Sequence, residues 1–319
     1  MKKIARCVFF LFILSIGFNF GSHICYNLAF AEGIQAEDEE SYNITMKRDI
    51  LCLMMAYPEY IIGIQSGEDG KAFIVMKSGR KVLYDDKRQK SHSEKLQNPD
   101  LQDSLEQIYP IGDIKELMDE NCDPGRARVY PLLKEVYGRS QAEVKANLKG
   151  IRIGSKQLEF NKNNGALEAL KNTINELNSM ARNNSKIWSY AFPVNGTFNY
   201  RVISGTNQLS PHAFGTAIDL KSDKRDYWKW ASRKDGEKRM LSYPREIVET
   251  FEKNNFVWGG KWGHFDTLHF EYRPEIIMKG RYFPNPPVSD EEWHKGAPYE
   301  KENVKTYIEL IDENIKMVQ

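Results

Sequence analysis

The sequence predicts an α+β fold of helices and short strands, preceded by a smaller mixed N-terminal unit. Three observations lead there. Short aromatic and β-branched runs at Phe256–Trp258 and Leu268–Tyr272 have strand length and composition. Between residues 167 and 181, Leu167, Leu170, Ile174, Leu177 and Ala181 recur at steps of three and four, the period of one helix face. Earlier in the chain, Phe73–Met76 and Lys81–Tyr84 flank Ser78-Gly79 in the pattern of a hairpin. No repeat or low-complexity tract points to a solenoid or a linker.

Taken in order, the chain opens with Lys2, Lys3 and Arg6, an apolar run from Cys7 to Phe20, and small residues at Ala29 and Ala31. That order reads as a secretory signal peptide over residues 1–31. The rival is a permanent anchor, but the apolar run is shorter than the ~20 residues a spanning helix needs. Cleavage removes three basic residues and no acidic ones, moving the formal charge from +1 to −2. Such a balance gives no reason to expect a nucleic-acid partner. The expected location is secreted or extracytoplasmic, with no stable membrane span after cleavage. Cys52 and Cys122 then remain, either as a disulfide or as two separate buried thiols.

Residues 32 to about 45 are acidic and unpatterned and read as a flexible lead. The charged stretch 86–103 reads as a loop. After the turn at Asp123-Pro124-Gly125, Leu132, Leu133 and Val136 suggest a helix, and Ser140 with Glu143 forms a capping-box pattern ahead of the next. The aromatic segment 187–203 reads as a strand pair, or as a strand and loop. Pro244 opens a helix whose Ile247, Val248 and Phe251 share a face. The prolines at 284, 286 and 287 begin a tail, with a terminal helix from about Glu300. The expected division is therefore 1–31 signal, 32–160 mixed N-terminal unit, 161–283 catalytic unit and 284–319 C-terminal extension.

Three of the six histidines fall between residues 212 and 269. His212 lies in Ser210-Pro211-His212-Ala213-Phe214-Gly215-Thr216-Ala217-Ile218-Asp219, and the others in Trp258-Gly259-Gly260-Lys261-Trp262-Gly263-His264-Phe265-Asp266-Thr267-Leu268-His269-Phe270-Glu271. A catalytic zinc takes three protein nitrogens or oxygens and keeps one position open. His212, Asp219 and His269 supply such a set. Hydrolysis also needs a proton acceptor that does not ligate, and Asp266, three residues before His269, is the candidate. Read singly, each of these residues has an ordinary structural alternative, a hydrogen-bonded histidine or a turn carboxylate.

The run SPHAFGTAID resembles the SxHxxGxAxD signature of the zinc D-alanyl-D-alanine carboxypeptidase family. WGGKWGHFDTLHFEY is similar to the WGGDWxxFxDxPHFE signature of that family's L-alanyl-D-glutamate endopeptidase branch, found in phage endolysins and autolysins. The resemblance covers residues from about 200 to 273. It implies a compact α+β catalytic fold with a small antiparallel sheet and packed helices, of the hedgehog/D-Ala-D-Ala peptidase-like kind, zinc held by His212, Asp219 and His269, and Asp266 as catalytic acid/base. It implies peptidoglycan stem peptides as substrate. Lys261 replaces the branch's Asp, Leu268 its Pro, and Phe265 and Asp266 are adjacent where the branch spaces them by one. Tyr200-Arg201 matches the letters of the family's substrate- or oxyanion-binding arginine, with a shorter spacing to His212.

Around this set, Ser210 is a candidate to hold substrate or to orient His212. His264 is a candidate for substrate contact, its alternative being a structural histidine. Glu271 reads either as support for His269 or as a sheet salt bridge; Trp258, Trp262 and Phe270 either wall a cleft or belong to the core. Arg126, after Asp123-Pro124-Gly125, either reaches substrate from the N-terminal unit or belongs to a surface turn, the latter being the expected reading. The leading expectation is a zinc endopeptidase cutting the L-Ala-D-Glu bond. The alternatives are a D-alanyl-D-alanine carboxypeptidase with the same metal site and a catalytically silent wall-binding module.

Overall fold

The computed structural model describes residues 39–67, 71–287 and 292–315. The signal-peptide reading lies outside the described residues. Helices and small antiparallel sheets make an α+β protein, as the sequence predicts. No helix among the described residues is long and apolar enough to cross a membrane.

Three sheets organise the chain. β1 (Ile61–Ser66), β2 (Ala72–Met76) and β3 (Lys81–Leu83) form an antiparallel meander in that order. The hairpin at Ser78-Gly79 is present, with Gly79 at φ 84°, a region where a Cβ is costly. β4 (Leu148–Ile153) and β5 (Lys156–Asn161) make a second hairpin. The third sheet carries Asp219 and His269: β6 (Ala217–Asp219), β7 (Phe256–Trp258) and β8 (His269–Tyr272), in the order β6-β8-β7 and antiparallel throughout.

The helix Ala166–Ala181, packed against β4, β5 and the helix Arg245–Lys253, buries Leu167, Leu170, Ile174, Leu177 and Ala181, the stripe read from the sequence. Helix Arg245–Lys253 follows Pro244 and buries Ile247, Val248 and Phe251. Phe251 stacks on Phe270 of β8 at 3.9 Å between ring centroids. Trp258 and Phe270 are fully buried and Trp262 nearly so, which places all three in the core.

Three local expectations are corrected. The stretch 86–103 is not a plain loop but holds helices His92–Gln97 and Leu101–Leu105. Each begins with a reciprocal capping box, Ser91 with Glu94 and Asp100 with Asp103, which satisfies the free N–H groups of a short helix. The segment 187–203 is not a strand pair, because helix Ser185–Ala191 occupies its start; Asn184 accepts from the N–H groups of Lys186 and Ile187 and overrides the β preference of the aromatics. Helix Glu39–Ala56 takes the place of the second half of the expected lead, whose first half lies outside the described residues. It gains its stability from packing, burying Ile44, Ile50, Leu51 and Leu53, while Lys47 pairs with Asp312 at 2.6 Å and Asp49 with Lys279 at 2.6 Å. The terminal helix runs Glu302–Asn314. Cys52 is a free buried thiol and Cys122 is disulfide-bonded, so the two do not pair with each other.

Candidate metal centre and active site

His212 sits in a short 3-10 turn, Pro211–Phe214. Ser210 caps this turn, accepting from the His212 N–H at 3.3 Å; being itself buried, Ser210 acts on the position of His212. Gly215 then takes φ 67° and reverses the chain into β6. That left-handed conformation favours glycine, and a Cβ there would also crowd the Asn161 backbone nitrogen at 3.2 Å. Asp219 ends β6 directly opposite His269 at the start of β8. The turn and the strand pairing together bring three residues from distant positions to one point.

The geometry there is compact. His212 Nε2 lies 3.2 Å from Asp219 Oδ1, His269 Nδ1 lies 2.9 Å from the same oxygen, and the two ring nitrogens are 3.3 Å apart. Ligands about 2.0–2.1 Å from a tetrahedral zinc are separated by about 3.3 Å, so this donor set fits the ion. His212 directs Nδ1 at the Thr197 carbonyl, which leaves Nε2 as the nitrogen available to a metal. Behind His269, Nε2 faces Glu271 Oε2 at 3.9 Å. Arg128 grips that carboxylate with Nε at 2.9 Å and 3.0 Å from its two oxygens and Nη2 at 2.7 Å. Glu271 thus gives its hydrogen bonds to Arg128 and sets a negative charge behind the histidine, too far for a hydrogen bond but close enough to act on it electrostatically. Burial alone would raise Glu271, but Arg128 outweighs it and holds the carboxyl well below its usual range.

Asp266 lies outside the ligand cluster, at the turn leading into β8. Its carbonyl accepts from the His269 N–H at 3.1 Å and its N–H donates to Gly259 at 2.9 Å. Among the described residues nothing donates a hydrogen bond to its carboxylate, which leaves that group free for a water or a substrate. Burial raises the Asp266 carboxyl to about 7; His269 opposes the shift and Asp219 adds to it. The Trp-Gly-Gly run serves this turn, since a Cβ on Gly259 would stand 2.5 Å from the Asp266 carbonyl oxygen.

Residues 204–272 match the family model described as D-alanyl-D-alanine carboxypeptidase. The match supports a metallopeptidase of that family and includes His212, Asp219, Asp266 and His269. No curated protein and no solved structure matches the chain. The remaining candidates fall at different places around the peptidase segment. Arg201 is exposed on the 200–209 turn, with Nη1 3.4 Å from the Val202 carbonyl, and is not drawn into the ligand cluster. His264 is partly buried and turns Nδ1 to Asp123 at 2.7 Å.

The segment 122–128, which the sequence marks only as a turn, wraps the peptidase segment. Carbonyls of Cys122, Pro124 and Ala127 accept from Gly263 N at 2.7 Å, Trp262 Nε1 at 2.9 Å and Arg273 Nη2 at 3.3 Å. Gly263 packs so closely that a Cβ would be 2.1 Å from the Asp119 carbonyl oxygen. Sequence reasoning missed Arg128, Asp123 and Thr197. Thr197 contributes only a backbone oxygen and leaves no side-chain signal; Asp123 and Arg128 flank the Pro124-Gly125 turn, and that turn was the available clue.

Proposed function

We propose that this chain is a zinc-dependent peptidase of peptidoglycan stem peptides, acting on the outer side of the cytoplasmic membrane. The observation that carries the reading is the convergence of His212, Asp219 and His269 within ligand distance, beside a carboxylate at 266 that accepts no hydrogen bond among the described residues. When bound, zinc polarises the scissile carbonyl and lowers the pKa of water toward ~7. Asp266 takes the proton of the attacking water and returns it to the leaving amine. Burial, which raises its carboxyl, suits it to both transfers. Glu271, fixed by Arg128, keeps a negative charge behind His269, and the Thr197 carbonyl holds His212.

For the scissile bond, we favour L-Ala-D-Glu endopeptidase action, supported by the aspartate at 266 and the Trp-Gly-Gly approach to it. D-alanyl-D-alanine carboxypeptidase action is the second reading, supported by the description of the matching family. Digestion of purified wall tests both. New amino groups that disappear with a chelator or in Asp266→Asn support the peptidase, and intact stems at saturating zinc overturn it. Product masses then separate the bonds, since loss of a single alanine from the pentapeptide marks the carboxypeptidase.

A further inference from the structure

A second set of donors stands where three segments meet: the start of helix His92–Gln97, the 122–128 turn and the turn that carries His264. His92, Asp123 and His264 each offer one ligating atom there, and all three atoms lie within 4.8 Å of one another. Asp123 is the centre of the group. Its side chain is 1 % exposed, and one oxygen accepts from the His264 backbone N–H at 2.9 Å, which fixes the carboxylate. The other oxygen lies 2.7 Å from His264 Nδ1 and 3.3 Å from His92 Nε2. Burial alone would raise Asp123, but His264, His92 and Arg126 hold its carboxyl well below the usual range, so it stays ionised.

Of these donors, His92 Nε2 is the one that the fold leaves over. The nitrogen is buried and makes no hydrogen bond among the described residues, although it faces the ionised oxygen of Asp123. A buried polar atom without a partner is costly, and in native structures such an atom has a reason. The rings of His92 and His264 stand 5.7 Å apart, close to the 5.2 Å between His212 and His269. Beside them lies a recess of about 20 Å³ lined by His92, Asp103, Glu106 and Asp123, with room for a single water as a further ligand. Lys90 pairs with Asp103 at 2.6 Å and Lys95 pairs with Glu106, so those two carboxylates already have their cations. What is left for an ion is Asp123 and two imidazoles.

The cation now opposite Asp123 is Arg126, whose Nη1 stands 2.8 Å from the same oxygen. That contact is one hydrogen bond from a side chain 22 % exposed, and an ion pair of that kind holds weakly against water. A divalent ion on the same oxygen gains two nitrogen bonds that a guanidinium cannot make. For this exchange the proton of His264 Nδ1 moves to Nε2, the other tautomer of the neutral ring, and Nδ1 becomes a donor to the ion. Two imidazoles and one carboxylate oxygen suit zinc better than magnesium or calcium.

We propose that His92, Asp123 and His264 form a second zinc site, weaker than the one at His212, Asp219 and His269, which clips the N-terminal segments to the turn that leads to Asp266. It is the weaker of the two because Arg126 must leave before the ion enters, and exhaustive dialysis empties it. Its ligands come from distant positions, Asp123 and His264 being 141 residues apart, so an ion there cross-links segments that otherwise meet only through packing and hydrogen bonds. His264 precedes Asp266 by two residues, and Trp228 N holds the intervening Phe265 carbonyl at 3.0 Å. The site stands apart from the peptidase reading, since no step of hydrolysis passes through it.

Zinc titration of the chain carrying His212→Ala and His269→Ala, which lacks the first site, is the test. One equivalent is expected to bind, and zinc at about 100 times its dissociation constant should raise Tm by about 5 °C or more, with magnesium doing neither. Adding His92→Ala should abolish both the equivalent and the shift. Arg126→Gln removes the competing cation and should tighten this site by about 3- to 10-fold. In the unsubstituted chain the titration should reach two equivalents, one of which survives dialysis, and His92→Ala alone should reduce it to that one, a measurement that holds even where the double variant does not fold. A single equivalent in the unsubstituted chain, or a second equivalent that persists in His92→Ala, overturns the site. Neither result touches the peptidase reading, which falls only with loss of wall cleavage.

Discussion

Asp219 and His269 are cross-strand partners, paired directly in the antiparallel register of β6 and β8. Side chains paired in this way project to the same face with Cβ atoms roughly 4.5–5.5 Å apart, so the ladder hydrogen bonds themselves set the spacing of two of the three candidate ligands. His212 is added by the turn that feeds β6. Because register is discrete, a one-residue slip would turn His269 to the opposite face. The site is therefore as rigid as the sheet.

From this pairing follows the first expectation, on metal content. Asp219→Ala or His269→Ala should each abolish stoichiometric zinc and activity together, because two ligands do not hold a catalytic ion tightly. Metal analysis after exhaustive dialysis is the check. Full zinc occupancy in either variant would remove these residues from the ligand set.

A second expectation separates binding from proton transfer. Asp266→Asn should keep its zinc and lose kcat by about 10²- to 10⁴-fold, the usual scale of a positioned general base. Parallel metal analysis and steady-state kinetics decide the matter. A variant that loses zinc along with activity would make Asp266 a ligand instead.

The Arg128–Glu271 pair gives a third. Glu271→Gln weakens the charge behind His269 and should lower zinc affinity by about 10- to 100-fold. Arg128→Ala leaves the nearly fully buried Glu271 without its principal partner, and should in addition destabilise the fold by about 3–5 kcal/mol. Zinc titration and thermal melting separate the two effects; unchanged affinity in both variants would reduce the pair to a structural bridge.

Lys261 provides a test away from the metal. This lysine, which departs from the endopeptidase-branch signature, is fully buried and pairs with Glu252, and it donates to the carbonyls of Pro110 at 2.7 Å and Gly112 at 2.5 Å. Lys261→Met strands the Glu252 charge and should cost about 3–5 kcal/mol. Adding Glu252→Gln should recover part of the loss, since the uncompensated charge is then gone. Denaturant melts of the two variants measure this, and no recovery in the double variant would place the cost in packing instead.

Much of the catalytic unit could be read directly from residue order. The face of helix Ala166–Ala181, the helix after Pro244 and the strands β7 and β8 follow from local periodicity and from proline's fixed φ. The short helices at His92 and Leu101 were hidden because composition spoke for a loop, although both capping boxes were present in the letters. Helix Glu39–Ala56 gave no such sign, since its stability comes from residues near 279 and 312.

The sequence by itself determined the donor types and their grouping into two short runs, because glycine turns and strand alternation are local properties. Only the tertiary structure decided what stands behind and beside those donors. Arg128 meets Glu271 across 143 positions and Asp123 meets His264 across 141, and no periodicity connects residues so far apart. Such pairs form when packing brings their segments together, and burial then gives each charge a fixed partner because an unpaired one would be too costly to keep.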